Sequence, residues 1–271
     1  MLEVYFLWVL ALVWLIFASI QDLRTREIAN WLNWSLIIFA LGFRLFYSLF
    51  GLSGFGFFYQ GLIGFGIFWV LSNLFYYGKI YAGGDYRLMV ALGAILPVST
   101  TLVLNIELLL IYLLIFFIVG AIYGLTVSFY FGIKNFSKMR KEFLVQFGKQ
   151  KVLIFSSLVV ACLFLVLSFW ENLFFALGIF VFVLPYLYLF LKSVDEVCMV
   201  RKIKTSKLTL GDWLYKDEKV GNKMVKATWD GLEEKDIKLL KNKKEVLVRF
   251  GVQYGPVFLI SFIVFVLVYF L

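Results

Sequence analysis

The sequence predicts an all-α polytopic membrane protein with a small soluble segment before its last helix. Three observations carry that prediction. Hydrophobic residues make up 63% of the 271-residue chain and aromatics 20%, with a mean hydropathy of +0.93, whereas soluble domains rarely exceed about half apolar residues. The apolar residues fall in runs long enough, or nearly so, to cross a hydrocarbon core of ~30 Å. The basic residues gather on alternate connections between those runs, as the positive-inside rule demands of a multi-pass chain.

Taken in order, the apolar runs lie at about 4–20, 32–50, 58–77, 86–101, 103–131, 152–170, 173–191 and 254–271, giving eight candidate transmembrane helices. The first carries one charge, Glu3, and no basic amino-terminal region or small-residue cleavage site, so it reads as a retained helix rather than a signal peptide. The fourth is the shortest. Pro97 interrupts it, and sixteen helical residues rise only about 24 Å. Charge assigns it nonetheless as a short, Pro-kinked crossing helix, because without it the six basic residues of 132–151 would be stranded on the outer side. With eight crossings and the amino terminus outside, every Lys and Arg except Arg44 falls on the cytoplasmic side.

The remaining segment, 192–253, is the only soluble piece of any size, with fifteen basic and ten acidic residues. Leu208–Leu214 reads as strand or turn, and Asp230–Leu240 as an amphipathic helix capped by Asp230 with acidic residues in its first turn. Its core is expected to be small, and its positive balance would hold it against anionic lipid head groups. The chain is thus expected to divide into a membrane-embedded core (1–131), a further loop and two helices (132–191), the soluble segment (192–253) and a last helix (254–271).

The chain has no histidine and only two cysteines, Cys162 and Cys198. Ser-His-Asp and Cys-His catalysis, His-ligated zinc, a disulfide framework and a Cys-x-x-Cys site are therefore excluded or unlikely by composition, and no metal or cofactor is expected. Nucleic-acid binding has little support despite the net charge of +9, since the basic residues follow the membrane topology.

Two carboxylates stand apart from this background. Asp22 follows the first apolar run in Asp22-Leu23-Arg24-Thr25-Arg26-Glu27-Ile28, and Asp85 opens the fourth in Gly83-Gly84-Asp85-Tyr86-Arg87-Leu88. The topology puts both at the cytoplasmic face. The glycine pair frees the backbone for an extended or left-handed turn and for close approach to another backbone. Taken singly, Asp85 is a helix cap after a glycine turn, and Asp22 a surface carboxylate paired with Arg24 or Arg26 and worth little. Taken together, two Asp residues at inner helix ends, each flanked by basic residues such as Arg24, Arg26 and Arg87, form a candidate catalytic pair. Two carboxylates a few ångströms apart share a proton near neutrality, and such a pair can activate water.

At these residues the chain resembles the GxGD intramembrane aspartyl proteases, and within them the archaeal type IV prepilin and preflagellin (prearchaellin) peptidases. Asp22-Leu23-Arg24 answers the family's first Asp motif, and Gly84-Asp85-Tyr86-Arg87-Leu88 its Gly-x-Gly-Asp motif, with Ala82 where the first glycine stands in the family. The similarity covers residues 1 to about 131, and the tail from Gly211-Asp212-Trp213-Leu214 to Gly255-Pro256 looks less sharply like the carboxy-terminal region of some archaeal members. The resemblance implies an aspartic endopeptidase with Asp22 and Asp85 as its dyad and Gly83 and Gly84 shaping the turn. It further implies cleavage of a short basic leader from archaellin or pilin-like precursors at the cytoplasmic face of an archaeal cell membrane, without N-methylation. Two other classes are weighed against it: an ion-coupled transporter using the same carboxylates as cation or proton sites, and a structural membrane subunit. Which precursor is cut, which Asp acts as acid, and the oligomeric state are not readable from the sequence.

Overall fold

A computed structural model describes residues 2–51, 54–78, 83–221 and 223–271 of the chain. Ala82, the departure from the Gly-x-Gly-Asp pattern, lies outside the described residues, as do Lys79, Ile80 and Tyr81. Two compact units are present, Met1–Gly124 with Val252–Leu271, and Leu125–Gly251, the boundary falling within one long helix.

In the first unit, α1 (Leu2–Thr25), α2 (Asn30–Phe50), α3 (Gly56–Tyr77) and α5 (Leu102–Lys134) are each long and apolar enough to cross a membrane. The chain is a multi-pass membrane protein. Large apolar side chains such as Trp31, Ile38, Phe39 and Phe46 are exposed, as expected where lipid rather than a protein core covers them. α1 ends on Arg26, whose positive φ of 61° and N–H bond to the Asp22 carbonyl (2.8 Å) make a left-handed helix stop. Ahead of it, Thr25 Oγ1 donates to the carbonyls of Gln21 (2.9 Å) and Glu27 (3.0 Å), which turns the chain tightly into α2.

The short fourth run is a helix that breaks off: Pro97 lies past its end and does not kink it. α4 (Gly83–Gly93) has only 11 residues, and the chain then unwinds through Pro97 to Thr101 before α5. Residues 88–97 are buried without exception, so this run is enclosed by protein on all sides. Its start meets the start of α2, where a Cβ on Gly84 would lie 3.6 Å from Ile28 Cβ. Its far end meets Arg44, near the other end of α2. The span therefore runs the length of the bundle, and does so with helix for little more than half its residues.

Unwound backbone inside a membrane protein requires partners for its polar groups, and two buried side chains supply them. Arg44, wholly buried, donates to the carbonyls of Ala94 (2.8 Å), Ile95 (3.1 Å), Pro97 and Phe57 (2.8 Å). Asn105 Oδ1 accepts from the N–H groups of Val98 (3.0 Å) and Ser99 (2.9 Å), while its Nδ2 donates to the Ser99 carbonyl (2.8 Å) and to Gln60 Oε1 (2.9 Å). The one basic residue that the expected topology leaves on the outer side thus has its charge engaged by carbonyls. At the same level α3 and α4 touch backbone to backbone, since a Cβ on Gly93 would fall 2.6 Å from the Gly64 carbonyl oxygen, so glycine is required there. The last helix, α10 (Gly255–Phe270), has Pro256 in its first turn, where a missing N–H is harmless. Val257, Phe258, Phe262 and Phe265 bury one side of it.

The second unit contains the rest of α5, then α6 (Phe136–Lys149), α7 (Lys151–Leu167) and α8 (Leu173–Val194). The expected basic loop at 132–151 is largely the helix α6, and a 76° bend at Gln150 separates it from α7. Seven of the eight expected runs fall on helices, and the fourth is helical only as far as Gly93. Five of the described helices, α8 among them, meet the length needed to cross, with a sixth if α6 and α7 form one span; α4 and α10 are shorter. The soluble segment adds β1 (Val200–Lys204), β2 (Trp213–Leu214) and β5 (Glu245–Arg249) in an antiparallel sheet of order β1-β5-β2, and a separate hairpin of β3 (Glu218–Val220) with β4 (Lys223–Val225). Strand alternation buries Val246 and Val248 with Leu208, Leu214, Val225, Leu232 and Leu240 in a core as small as expected. Tyr215 donates to Glu196 (2.7 Å), and that bond holds the phenol above its ordinary pKa. The helix expected from Asp230 begins instead at Glu234 (α9, Glu234–Leu240), with the Glu233 N–H donating to Asp236 Oδ2 (3.1 Å). The reason is that Gly231 turns left-handed (φ 78°) and Leu232 pairs through its backbone with Gly211 and Asp212, which withholds Asp230 from the cap.

Candidate active site

Asp22 sits in the last two turns of α1, where Ser19, Asp22 and Leu23 share one face. The carboxylate is buried, 6% exposed, which sets aside the surface ion pair as an account of it. Its Oδ2 accepts from the Gly255 N–H at 2.7 Å, so the amino end of α10 rests on the side chain. Around that bond the contact is continued by Ser19 Oγ, which donates to the Gly255 carbonyl (3.0 Å) as well as to Leu15 (2.7 Å), and by Gln253 Nε2, which donates to the Leu23 carbonyl (3.2 Å). A Cβ on Gly255 would lie 2.9 Å from Asp22 Cβ and 3.0 Å from Oδ2. Only glycine fits.

Asp85 lies in the first turn of α4 and is half-buried. Gly83 and Gly84 are the opening residues of that helix rather than a turn before it, and Gly84 is not among the positive-φ glycines. The expected left-handed turn is therefore not what Gly84 provides. The close approach is present: Gly84 faces Ile28 at the head of α2, and its carbonyl accepts from Asn33 Nδ2 at 3.5 Å. Arg87 donates to Asn30 Oδ1, tying the next turn to α2 as well, and Asn73 of α3 reaches the Tyr86 hydroxyl at 3.5 Å. Arg24 is exposed in the last turn of α1, and the charge of Arg26 acts on Asp22.

The two carboxylates share neighbours at one end of the bundle, where α1 stops and α2, α4 and α10 start. Tyr254, directly before α10, packs edge-on against Phe116 (5.9 Å between centroids) and Tyr123 (6.5 Å) of α5. Its hydroxyl lies within electrostatic reach of Asp85, and that of Tyr123 within reach of Asp22. Sequence reasoning missed Tyr254, Gly255, Ser19 and Asn33. Gly255-Pro256 carried a signal, a glycine directly before an N-terminal proline, but only as part of a tail, and Asn33 carried none beyond being polar in an apolar run.

Comparison with known proteins bears on the class. Residues 9–125 match the type IV leader peptidase family. The resemblance read from the two Asp motifs is thereby borne out over the part of the chain that carries both. A preflagellin peptidase of Methanococcus maripaludis (strain C6 / ATCC BAA-1332) is 29% identical over 150 residues, which is 51% of this chain and 64% of that relative. No solved structure matches.

Proposed function

We propose that the chain is a membrane aspartic endopeptidase that removes the short basic leader of archaellin or type IV pilin-like precursors at the cytoplasmic membrane face. The observation that carries the reading is the buried Asp22 carboxylate at the bundle end where Asp85 opens α4, within a segment similar to type IV leader peptidases. In this reading Asp22 and Asp85 titrate as a pair. One takes a proton from the attacking water while the other, protonated, donates to the scissile carbonyl. The tetrahedral intermediate then expels the amine, which receives a proton from the pair. Arg26 bears on Asp22 by its charge, Arg87 ties the turn after Asp85 to Asn30, and Gly84 lets that turn approach Ile28 closely. The carrier alternative draws no comparable support, because both carboxylates lie at helix ends and not midway along a span.

The test is cleavage of a precursor by membranes containing the wild-type chain, Asp22→Ala or Asp85→Ala at equal levels. The expected result is a shortened precursor with the wild type alone. Undiminished cutting by either variant would sink the pair.

A further inference from the structure

The segment similar to leader peptidases ends at residue 125, yet one ligand of its Asp22 comes from residue 255. We propose that the amino-terminal turn of α10 is a positioning element of the active site, with the Gly255 N–H holding the Asp22 carboxylate in its working orientation. This rests on the reading of Asp22 and Asp85 as the catalytic pair.

Three features support it. The bond is short at 2.7 Å, and both partners are buried. Gly255 is also held from its other side by the Ser19 hydroxyl, whose single proton is shared between the Gly255 (3.0 Å) and Leu15 (2.7 Å) carbonyls, so moving its N–H away disturbs a second buried contact. The position also excludes any side chain, since a Cβ would press on Asp22 itself at 2.9 Å. A helix dock needed only for packing would not require that the excluded volume be the carboxylate. The N–H also acts chemically. A backbone donor and the positive end of a helix both favour the ionised form of the carboxylate they face. Among the described residues, the other charged or titratable groups that bear on Asp22 are Arg26 at the end of its own helix, Tyr123 from α5, Tyr254 before α10, which also feels Asp85, and Asp85 itself as its partner in the proposed pair.

The experiment compares purified wild type, Gly255→Ala and Ser19→Ala on a synthetic precursor peptide with a basic leader and an apolar stretch after the cut. Asp22→Ala and Asp85→Ala serve as references, and thermal unfolding reports the folded fraction. For folded Gly255→Ala the expected result is a fall in kcat of about 10- to 100-fold, as for a displacement of about 1 Å in a catalytic group, with KM little changed. The acid limb of the kcat/KM profile should move to higher pH, because the carboxylate loses a donor that favours its charge. Ser19→Ala, which frees Gly255 without touching Asp22, should move both in the same direction and by less. The proposal is overturned if Gly255→Ala cuts at the wild-type rate, or if its activity falls only in step with its folded fraction while the acid limb stays put. Cutting by the Asp22→Ala or Asp85→Ala references would instead remove the catalytic pair on which it depends.

Discussion

The seats of the two aspartates are built differently. The turn that carries Asp85 is held at the start of α2: Asn33 and Asn30 of α2, with Ile28 just before it, grip the opening turn of α4 through its backbone and through Arg87. Asp22 is held by its own carboxylate, and by a residue 233 positions away. In one case the frame around the acid is fixed and the side chain is left half-exposed; in the other the acid itself is the point of attachment. The difference teaches that one half of the proposed pair is seated by the packing of α4 against the start of α2, while the other is complete only when the last helix has docked.

The comparison breaks most decisively at the acids. Asp22→Asn and Asp85→Asn should each lower cleavage by about 10²- to 10⁴-fold, the range for losing a proton-transfer group. The contrast is that Asp22→Ala, which removes the acceptor of the Gly255 N–H, should also loosen α10, seen as easier proteolysis at the 252–255 junction. Next in size is Arg44→Met, which removes the donor from four buried carbonyls. With about 1.5–3 kcal/mol for each charged hydrogen bond, the unfolding transition in detergent should fall by at least about 3 kcal/mol, and a variant as stable as wild type would show that water replaces the guanidinium. Asn33→Ala tests the Asp85 seat more gently. At 3.5 Å its bond to Gly84 is long, so the loss should be near 1 kcal/mol, with slower cutting and an acid limb that does not move, unlike Gly255→Ala. The smallest effect is expected at Gly84→Ala. The new methyl group meets Ile28 at ordinary contact distance and alanine favours helix over glycine by about 1 kcal/mol, so the protein should be at least as stable as wild type. A loss of cleavage in that stable variant would report the space a substrate needs.

Much of this was legible in the sequence. Asp22 and Asp85 were singled out because carboxylates at the ends of apolar runs are rare, and the runs themselves sit on helices because the bilayer demands length and hydrophobicity that no other structure supplies. The short crossing at 86–101 is expected from charge balance alone; the structure gives an 11-residue helix with an unwound continuation that reaches along α2 as far as Arg44. What could not be read was carried by groups with no signature. The donor to Asp22 is a backbone N–H, which nearly every residue owns, and Asn33 and Asn105 look like any polar residue inside an apolar stretch. Gly84 misled for a related reason: glycine advertises unusual φ, yet here it opens a helix. The strands β1 and β5 were missed because five alternating residues among many lysines resemble a solvated loop until they pair.

The grip of Arg44 on the far end of the broken span also fixes a length. An eleven-residue helix is about 16 Å long and advances about 1.5 Å per residue with a turn of 100°. A slip of one residue would therefore swing Asp85 by more than a quarter of a turn. Because the carbonyls of Ala94, Ile95 and Pro97 are pinned to a single guanidinium, α4 behaves as a ruler nailed down at its zero mark. The depth and azimuth of Asp85 are then fixed from both ends, by Arg44 at one and by Asn30 and Asn33 at the other, so a change in the length of α4 would have to strain one of the two anchors.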